Sequence, residues 1–181
     1  MLYADAIDTD KALADKILKL SDGLHYTLHE GNKPYVAIDK EINFLENYID
    51  LQKARLGDKV KVQYNTSVDN LNYIIPTLLL TPFVENAFKY TSLMPGNHLL
   101  INIKILAENN QLIFIVSNYF VPEKFVKRLT FVKKSGIGVG LTRKRLDLLF
   151  ENNYDLDIRQ NDDLFSVNLK FSLNEMYSNR R

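Results

Sequence analysis

The sequence predicts an α+β fold, in which a helical hairpin is followed by a two-layer sandwich with helices on one face of a mixed sheet. Three observations carry this reading. Apolar residues recur at helical spacing through the first part of the 181-residue chain. From Lys59 the period drops to two, as in a half-buried strand. The later order (strand, helix, hairpin, irregular stretch, helix, hairpin) is not the β–α alternation of a doubly wound sheet.

Taken in order, residues 9–30 read as a helix with Leu13, Ile17, Leu20, Leu24 and Leu28 on one stripe. Gly31-Asn32-Lys33-Pro34 breaks it, since Pro34 cannot continue a helix and Gly31 suits the position after its end. A second helix is expected over 39–56, with Asp39 as N-cap, Ile42, Leu45, Ile49 and Lys53 on one stripe, and Gly57 as terminator. Two such helices joined by a short polar turn make an αα-hairpin whose stripes call for a partner surface. A domain boundary is placed at Gly57, giving 1–57 and 58–181.

Val60 and Val62 then face one way on a strand, with Lys61 and Gln63 facing the other. The stretch from Ile75 to Thr91, IPTLLLTPFVENAFKYT, is expected to be a helix with Pro76 in its first turn. Leu99–Leu106 and Gln111–Ser117 form a hairpin around Asn109-Asn110. Residues 119–134 show no clean period and carry Lys124, Lys127, Arg128, Lys133 and Lys134, a basic stretch suited to a lid over an anion. A helix through Leu146, Leu149 and Phe150 follows, and Tyr154–Arg159 with Leu164–Leu173 closes the chain as a hairpin turning at Asn161-Asp162.

Composition removes several function classes. A net charge of +1 gives no general attraction to nucleic acid or to an anionic membrane. The absence of cysteine excludes disulfides and thiolate zinc sites, and fits a reducing compartment. No apolar run approaches the length of a membrane span, so the chain is expected to be soluble as written. The opening MLYADAIDTD is compatible with a complete protein and with a piece of a larger one.

Chemistry concentrates in two stretches. Glu85, Asn86 and Lys89 stand at i, i+1 and i+4 within an otherwise apolar helix; an acid beside an amide suits a hard cation, and the lysine suits a phosphate. Gly136-Ile137-Gly138-Val139-Gly140 then leads into a helix, where backbone N–H groups can approach an anion. It is not a Walker A loop, and Leu141 stands where a dinucleotide fingerprint has its third glycine, although Leu129–Val132 and Asp155 or Asp157 keep that alternative open. Asn118 closes the strand IFIVSN, either as a turn former or as an amide able to accept a hydrogen bond from an adenine amino group. His25 and His29 have the i, i+4 spacing of helical zinc ligands, but Tyr26 stands where a zinc hydrolase needs glutamate.

This ordered set resembles the GHKL (Bergerat-fold) ATPases, and in detail the sensor histidine kinases that partner LytTR-type response regulators. The stretches that carry the resemblance are ILKLSDGLHYTL, VAIDKEINFLENYIDLQKARLGDKV, IPTLLLTPFVENAFKY, and SGIG followed by TRKRLDLLF. The resemblance implies an ATP-binding catalytic portion that donates the γ-phosphoryl of Mg-ATP to a histidine upstream and thence to a response regulator. It implies Mg²⁺ binding by Asn86, a polarising role for Glu85, a phosphate or ribose contact at Lys89, adenine reading at Asn118, and a glycine-rich box containing Gly136 and Gly138. It further implies a homodimer in the complete protein, a cytoplasmic portion of a membrane-anchored bacterial sensor, and membrane contact only through segments outside this sequence. The family's acceptor motif, NPHFLFN, is absent, and His25, His29 and His98 match nothing catalytic. Tyr90, Asn118-Tyr119 and Leu141 depart from the family pattern, so a non-catalytic nucleotide-binding or interaction module is the alternative reading. A dinucleotide-dependent oxidoreductase is the more distant one.

Overall fold

The computed structural model describes residues 2–91, 99–120 and 137–175. The basic stretch, Gly136 and His98 therefore lie outside the described residues.

The chain opens with a short helix, α1 (Leu2–Ile7), and a long one, α2 (Lys11–His29). Asp10 caps α2 by accepting a hydrogen bond from the Leu13 N–H at 3.1 Å. The single helix expected over 9–30 is thus preceded by a second, separate one. After the Gly31–Pro34 break come β1 (Tyr35–Ala37) and α3 (Ile38–Leu56), which ends at Gly57 with φ of 58°. Asp39 is not the N-cap. Ala37 holds that position, and Asp39 falls inside the first turn, where its charge still faces the positive helix end. The helices run antiparallel, joined by the Lys19–Asp50, Tyr26–Glu41 and Glu30–Lys40 contacts.

Ile38, Ile42, Leu45 and Ile49 of α3 are buried, as their spacing requires. The stripe on α2 behaves otherwise. Leu24 is 57% exposed and Leu28 70%, and Leu13 and Leu20 are exposed too, while Ala14 and Tyr26 are buried, Tyr26 against α3. Periodicity identified an apolar face, but the described residues do not cover it.

Five strands form the main sheet: β2 (Val60–Val68), β4 (Leu99–Glu108), β5 (Gln111–Tyr119), β7 (Leu164–Ser172) and β6 (Tyr154–Asn161), in that spatial order. Only β2 and β4 pair in parallel, so the sheet is mixed. Asn109 and Asn110 both adopt left-handed backbone (φ of 53° and 59°), the conformation of a two-residue hairpin turn. The final hairpin turns one residue later than its sequence suggests, at Asp162-Asp163. β3 (Tyr73–Pro76) joins β1 and β8 (Asn174–Glu175) in a separate three-stranded sheet that the sequence did not announce.

That small sheet also corrects the start of the next helix. α4 runs from Thr81 to Thr91, not from Ile75. Pro76 ends β3 opposite Tyr35, and Pro82 sits in the first turn of α4. The Leu80 carbonyl accepts the first helical bonds, from Phe83 at 3.1 Å and Val84 at 3.4 Å. Proline suits a strand end and a helix start alike, so sequence alone could not choose.

The last helix, α5 (Ile137–Phe150), packs beside α4. Ile101, Ile103, Ile105, Leu112, Phe114, Val116, Val167 and Leu169 alternate along the strands and are buried on one sheet face. They meet Phe83, Ala87 and Phe88 of α4 and Leu146 of α5 in a core that continues into Ile42 and Leu45 of α3. Each large side chain buried in this way contributes about 1.5–3 kcal/mol.

Candidate functional site

Helix α4 separates its residues cleanly. Phe83, Val84, Ala87, Phe88 and Thr91 are buried, Glu85 and Lys89 are exposed, and Asn86 and Tyr90 lie half-buried between these faces. The acid, the amide and the lysine therefore form one solvent-facing edge of a helix whose other side is anchored in the core. Glu85 and Lys89 are one turn apart with the acid on the N-terminal side, the favourable order. Partial desolvation raises the Glu85 carboxyl above the usual carboxylate range, against the opposing pull of Lys89. Lys89 also places its ammonium 5.6 Å from the centre of the Tyr90 ring.

Helix α3 supports this edge from behind. The Tyr48 ring meets Phe88 edge-on, with centroids 6.0 Å apart. Burial first, and the Glu85 charge second, push the Tyr48 phenol up to about 12. Tyr48 had no chemical signature in the sequence. Only its place one turn from Leu45 and adjacent to Ile49 hinted that it would face the core.

Asn118 is buried on β5, opposite Ile101 on β4 and Phe165 on β7. It continues the inward alternation of Leu112, Phe114 and Val116, so it faces the side covered by α4. Its Nδ2 donates to the Tyr119 carbonyl at 2.9 Å. The Thr91 hydroxyl, at the end of α4, donates to that same carbonyl at 3.0 Å. The end of the acid–amide helix and the end of the strand bearing Asn118 are thus tied at one atom. Thr91 is a second residue that sequence reasoning missed.

Gly138 and Gly140 lie in the first turn of α5 rather than in a loop before it. A Cβ at Gly140 would meet nothing within 4 Å, so that glycine answers no local packing demand. Leu141 is exposed and Thr142 buried. α5 packs against α4. The structure therefore sets Glu85, Asn86 and Lys89 on one edge of α4, links Asn118 to the last residue of that helix through the Tyr119 carbonyl, and places Gly138 on the neighbouring α5; Gly136 lies outside the described residues. The His25 and His29 rings lie 4.2 Å apart on α2, tilted by 33°, and are not among these residues. Among the described residues no three His, Cys, Asp or Glu side chains gather as a metal cluster. The oxygens of Glu85 and Asn86 nonetheless fit a hard cation that takes most of its ligands from a phosphorylated partner and water.

Residues 1–60 match the family described as "Histidine kinase". The chain is also 28% identical over 138 residues to the sensor histidine kinase YpdA of Escherichia coli (strain K12). By sequence the chain is similar to histidine kinases. The alignment with YpdA covers 74% of this chain and 24% of that protein, so the chain spans about a quarter of the length of this relative. In fold, the chain is similar to the histidine kinase domain of the blue-light-activated kinase EL346 of Erythrobacter litoralis (TM-score 0.55, 14% identity, 93% of this chain and 79% of that one). It is similar as well to full-length ShkA, solved in complex with AMPPNP (TM-score 0.52, 15% identity, 91% of this chain and 38% of that one). These two likenesses concern the fold, which is that of histidine kinase catalytic domains.

Proposed function

We propose that this chain is the ATP-binding catalytic portion of a two-component sensor histidine kinase. Residues 58–181 are assigned to nucleotide binding, and residues 1–57 to what remains of the dimerisation and phosphotransfer region. The division at Gly57 is one of role, since the apolar core crosses it. In this reading Asn86 offers its carbonyl oxygen to Mg²⁺ and Glu85 polarises the reacting groups. Lys89 meets a phosphate or the ribose, Asn118 lies toward the adenine, and Gly136 and Gly138 lie toward the phosphates. Mg²⁺, when bound, neutralises phosphate charge; the protein's part is chiefly positioning. The γ-phosphoryl group would pass to a histidine outside this sequence and then to a response regulator, of the LytTR type by resemblance. A homodimer formed through the exposed leucines of α2 belongs to the same proposal. So does a cytoplasmic location beneath a membrane anchor; no helix among the described residues is long and apolar enough to cross a membrane.

The observation that carries this reading is the solvent-facing acid–amide–lysine edge of α4, tied at Thr91 to the strand end that bears Asn118. AMPPNP, an ATP analogue, is held by ShkA, whose fold this chain shares. The deciding experiment is a calorimetric titration with Mg-ATP, repeated with ATP in the presence of a chelator. Metal-dependent saturable heat supports the proposal; no heat in either titration removes it. Titration with NADH in parallel tests the oxidoreductase alternative.

A second reading has its own support. Asn118 spends its Nδ2 on the Tyr119 carbonyl and leaves only an uncharged carbonyl oxygen to offer a nucleotide, and Leu141 projects into solvent near the start of α5. Both features favour a module that binds nucleotide without transferring phosphate. Binding in the titration together with no transfer to a supplied acceptor domain would select it.

A further inference from the structure

Glu41 is fully buried on α3, where its position between Ile38 and Ile42 on the apolar stripe would ordinarily call for a hydrocarbon. One of its carboxylate oxygens, Oε2, serves two elements at once. It accepts the Tyr26 hydroxyl of α2 at 2.6 Å and the Leu78 N–H at 2.9 Å. Leu78 has φ of 55°, a left-handed conformation that a leucine takes only when its surroundings hold it there. The next two residues, Leu79 and Leu80, are buried, and the Leu80 carbonyl starts α4. The same turn is tied to the loop after α2, since the Thr77 hydroxyl donates to the Lys33 carbonyl at 2.7 Å.

We propose that Glu41 is a positioning residue for α4: its carboxylate holds the Leu78 turn from which that helix starts and, through the Tyr26 hydroxyl, registers the helix to α2. A buried carboxylate is an expensive way to fill a core position, and an apolar side chain of similar volume would ordinarily serve stability as well. What a hydrocarbon cannot do is accept two hydrogen bonds from two different elements. A rotation or slide of α2 pulls on Glu41 through Tyr26, and Glu41 transmits it to the strained Leu78 turn that precedes the Glu85–Asn86 pair. The role in nucleotide binding rests on the function proposed above; the mechanical link between α2 and α4 does not.

The test uses the full 181-residue chain and four variants: Glu41→Leu, Glu41→Gln, Tyr26→Phe, and Lys19→Ala as a control that loosens α2 from α3 at another point. Two quantities are read, amide hydrogen exchange resolved over residues 78–91 and the dissociation constant for Mg-ATP. Glu41→Leu should speed exchange at Leu78, Phe83 and Val84 about tenfold, with the β4 and β5 amides unchanged, and weaken Mg-ATP about tenfold. Glu41→Gln, which keeps a carbonyl acceptor, should recover most of both losses. Tyr26→Phe should give the same local pattern at smaller size, and Lys19→Ala should give none. If Glu41→Leu fails to fold, Tyr26→Phe and Glu41→Gln still decide. Exchange over 78–84 that stays at the wild-type rate in folded Tyr26→Phe and Glu41 variants would overturn the proposal. So would acceleration spread evenly through the core, which is what a merely structural role predicts. A wild-type chain that binds no Mg-ATP overturns the nucleotide reading, while the exchange data alone judge Glu41.

Discussion

Thr91 and Asn118 meet at the Tyr119 carbonyl, which accepts a hydrogen bond from each, at 3.0 and 2.9 Å. This shared acceptor sets how the end of α4 sits against the strand that carries Asn118. Thr91→Val keeps the shape and removes only the hydroxyl. Because Asn118 still serves the carbonyl, the cost should be modest, about 0.5–1.5 kcal/mol by urea unfolding. The same substitution should weaken Mg-ATP several-fold. A variant with wild-type affinity and lowered stability would show that the tie is purely structural.

Asn86 is half-buried on the helix edge, outside the apolar face. Asn86→Ala should therefore leave the melting temperature almost unchanged, since alanine is the better helix former. Mg-ATP binding should fall at least about tenfold, as expected for loss of one metal ligand of a small set. Calorimetry and thermal melts on the same sample check both halves. A loss of several degrees with unchanged affinity would make Asn86 a structural residue.

Two glutamates should bend the pH profile of stability in opposite directions. Hydrogen bonds from Lys33 and Lys40, at 2.7 and 2.8 Å, hold the Glu30 carboxyl down to about 2. Its contribution is present above the ordinary carboxylate value of 4.5 and is lost as pH falls toward 2. Burial raises the Glu41 carboxyl above 4.5, against the hydrogen bonds from Tyr26 and Leu78 and the charge of Arg145. Its contribution is complete below 4.5 and declines as pH rises through its folded-state value. The stability difference between wild type and Glu41→Gln should thus shrink as pH rises above 4.5, and that between wild type and Glu30→Gln should shrink as pH falls below 4.5. Urea unfolding at a series of pH values measures both, and flat differences would contradict them.

The 181-residue chain should not phosphorylate itself. His25 and His29 lie side by side on α2, and the family's acceptor motif is absent from the sequence. Transfer needs an imidazole held in line with the γ-phosphate. Incubation with labelled Mg-ATP should leave no acid-labile phosphate on the chain. Label that disappears on mutating His25, His29 or His98 would contradict this.

Much of this architecture was legible in the sequence, for reasons that differ by element. The β4–β5 hairpin was readable because strict alternation and Asn109-Asn110 are both local signals. Glu85, Asn86 and Lys89 were readable as one edge because helical spacing fixes their mutual placement wherever the helix begins. The start of α4 was not, because β3 is a run of four residues whose pairing with β1 and β8 is entirely long-range. Glu41 was hidden for the opposite reason. A single acid on an apolar stripe looks like a solvated exception until Tyr26 and Leu78 are seen to converge on it from distances of 15 and 37 residues. The exposure of Leu24 and Leu28 could not be read either, since periodicity marks an apolar face without naming what covers it.

The three-stranded sheet gathers residues 35–37, 73–76 and 174–175, and this spacing orders events during synthesis. β1 and β3 can pair soon after both have left the ribosome, but β8 is made a hundred residues later. Throughout that interval the outer edge of β3 has open backbone groups beside Tyr73 and Ile74, a template for pairing with another nascent chain. Pro76 shortens that template at one end, because it has no N–H to offer. Premature termination products that stop before Asn174 would keep the edge open permanently, and they are the species in which aggregation of this protein should begin.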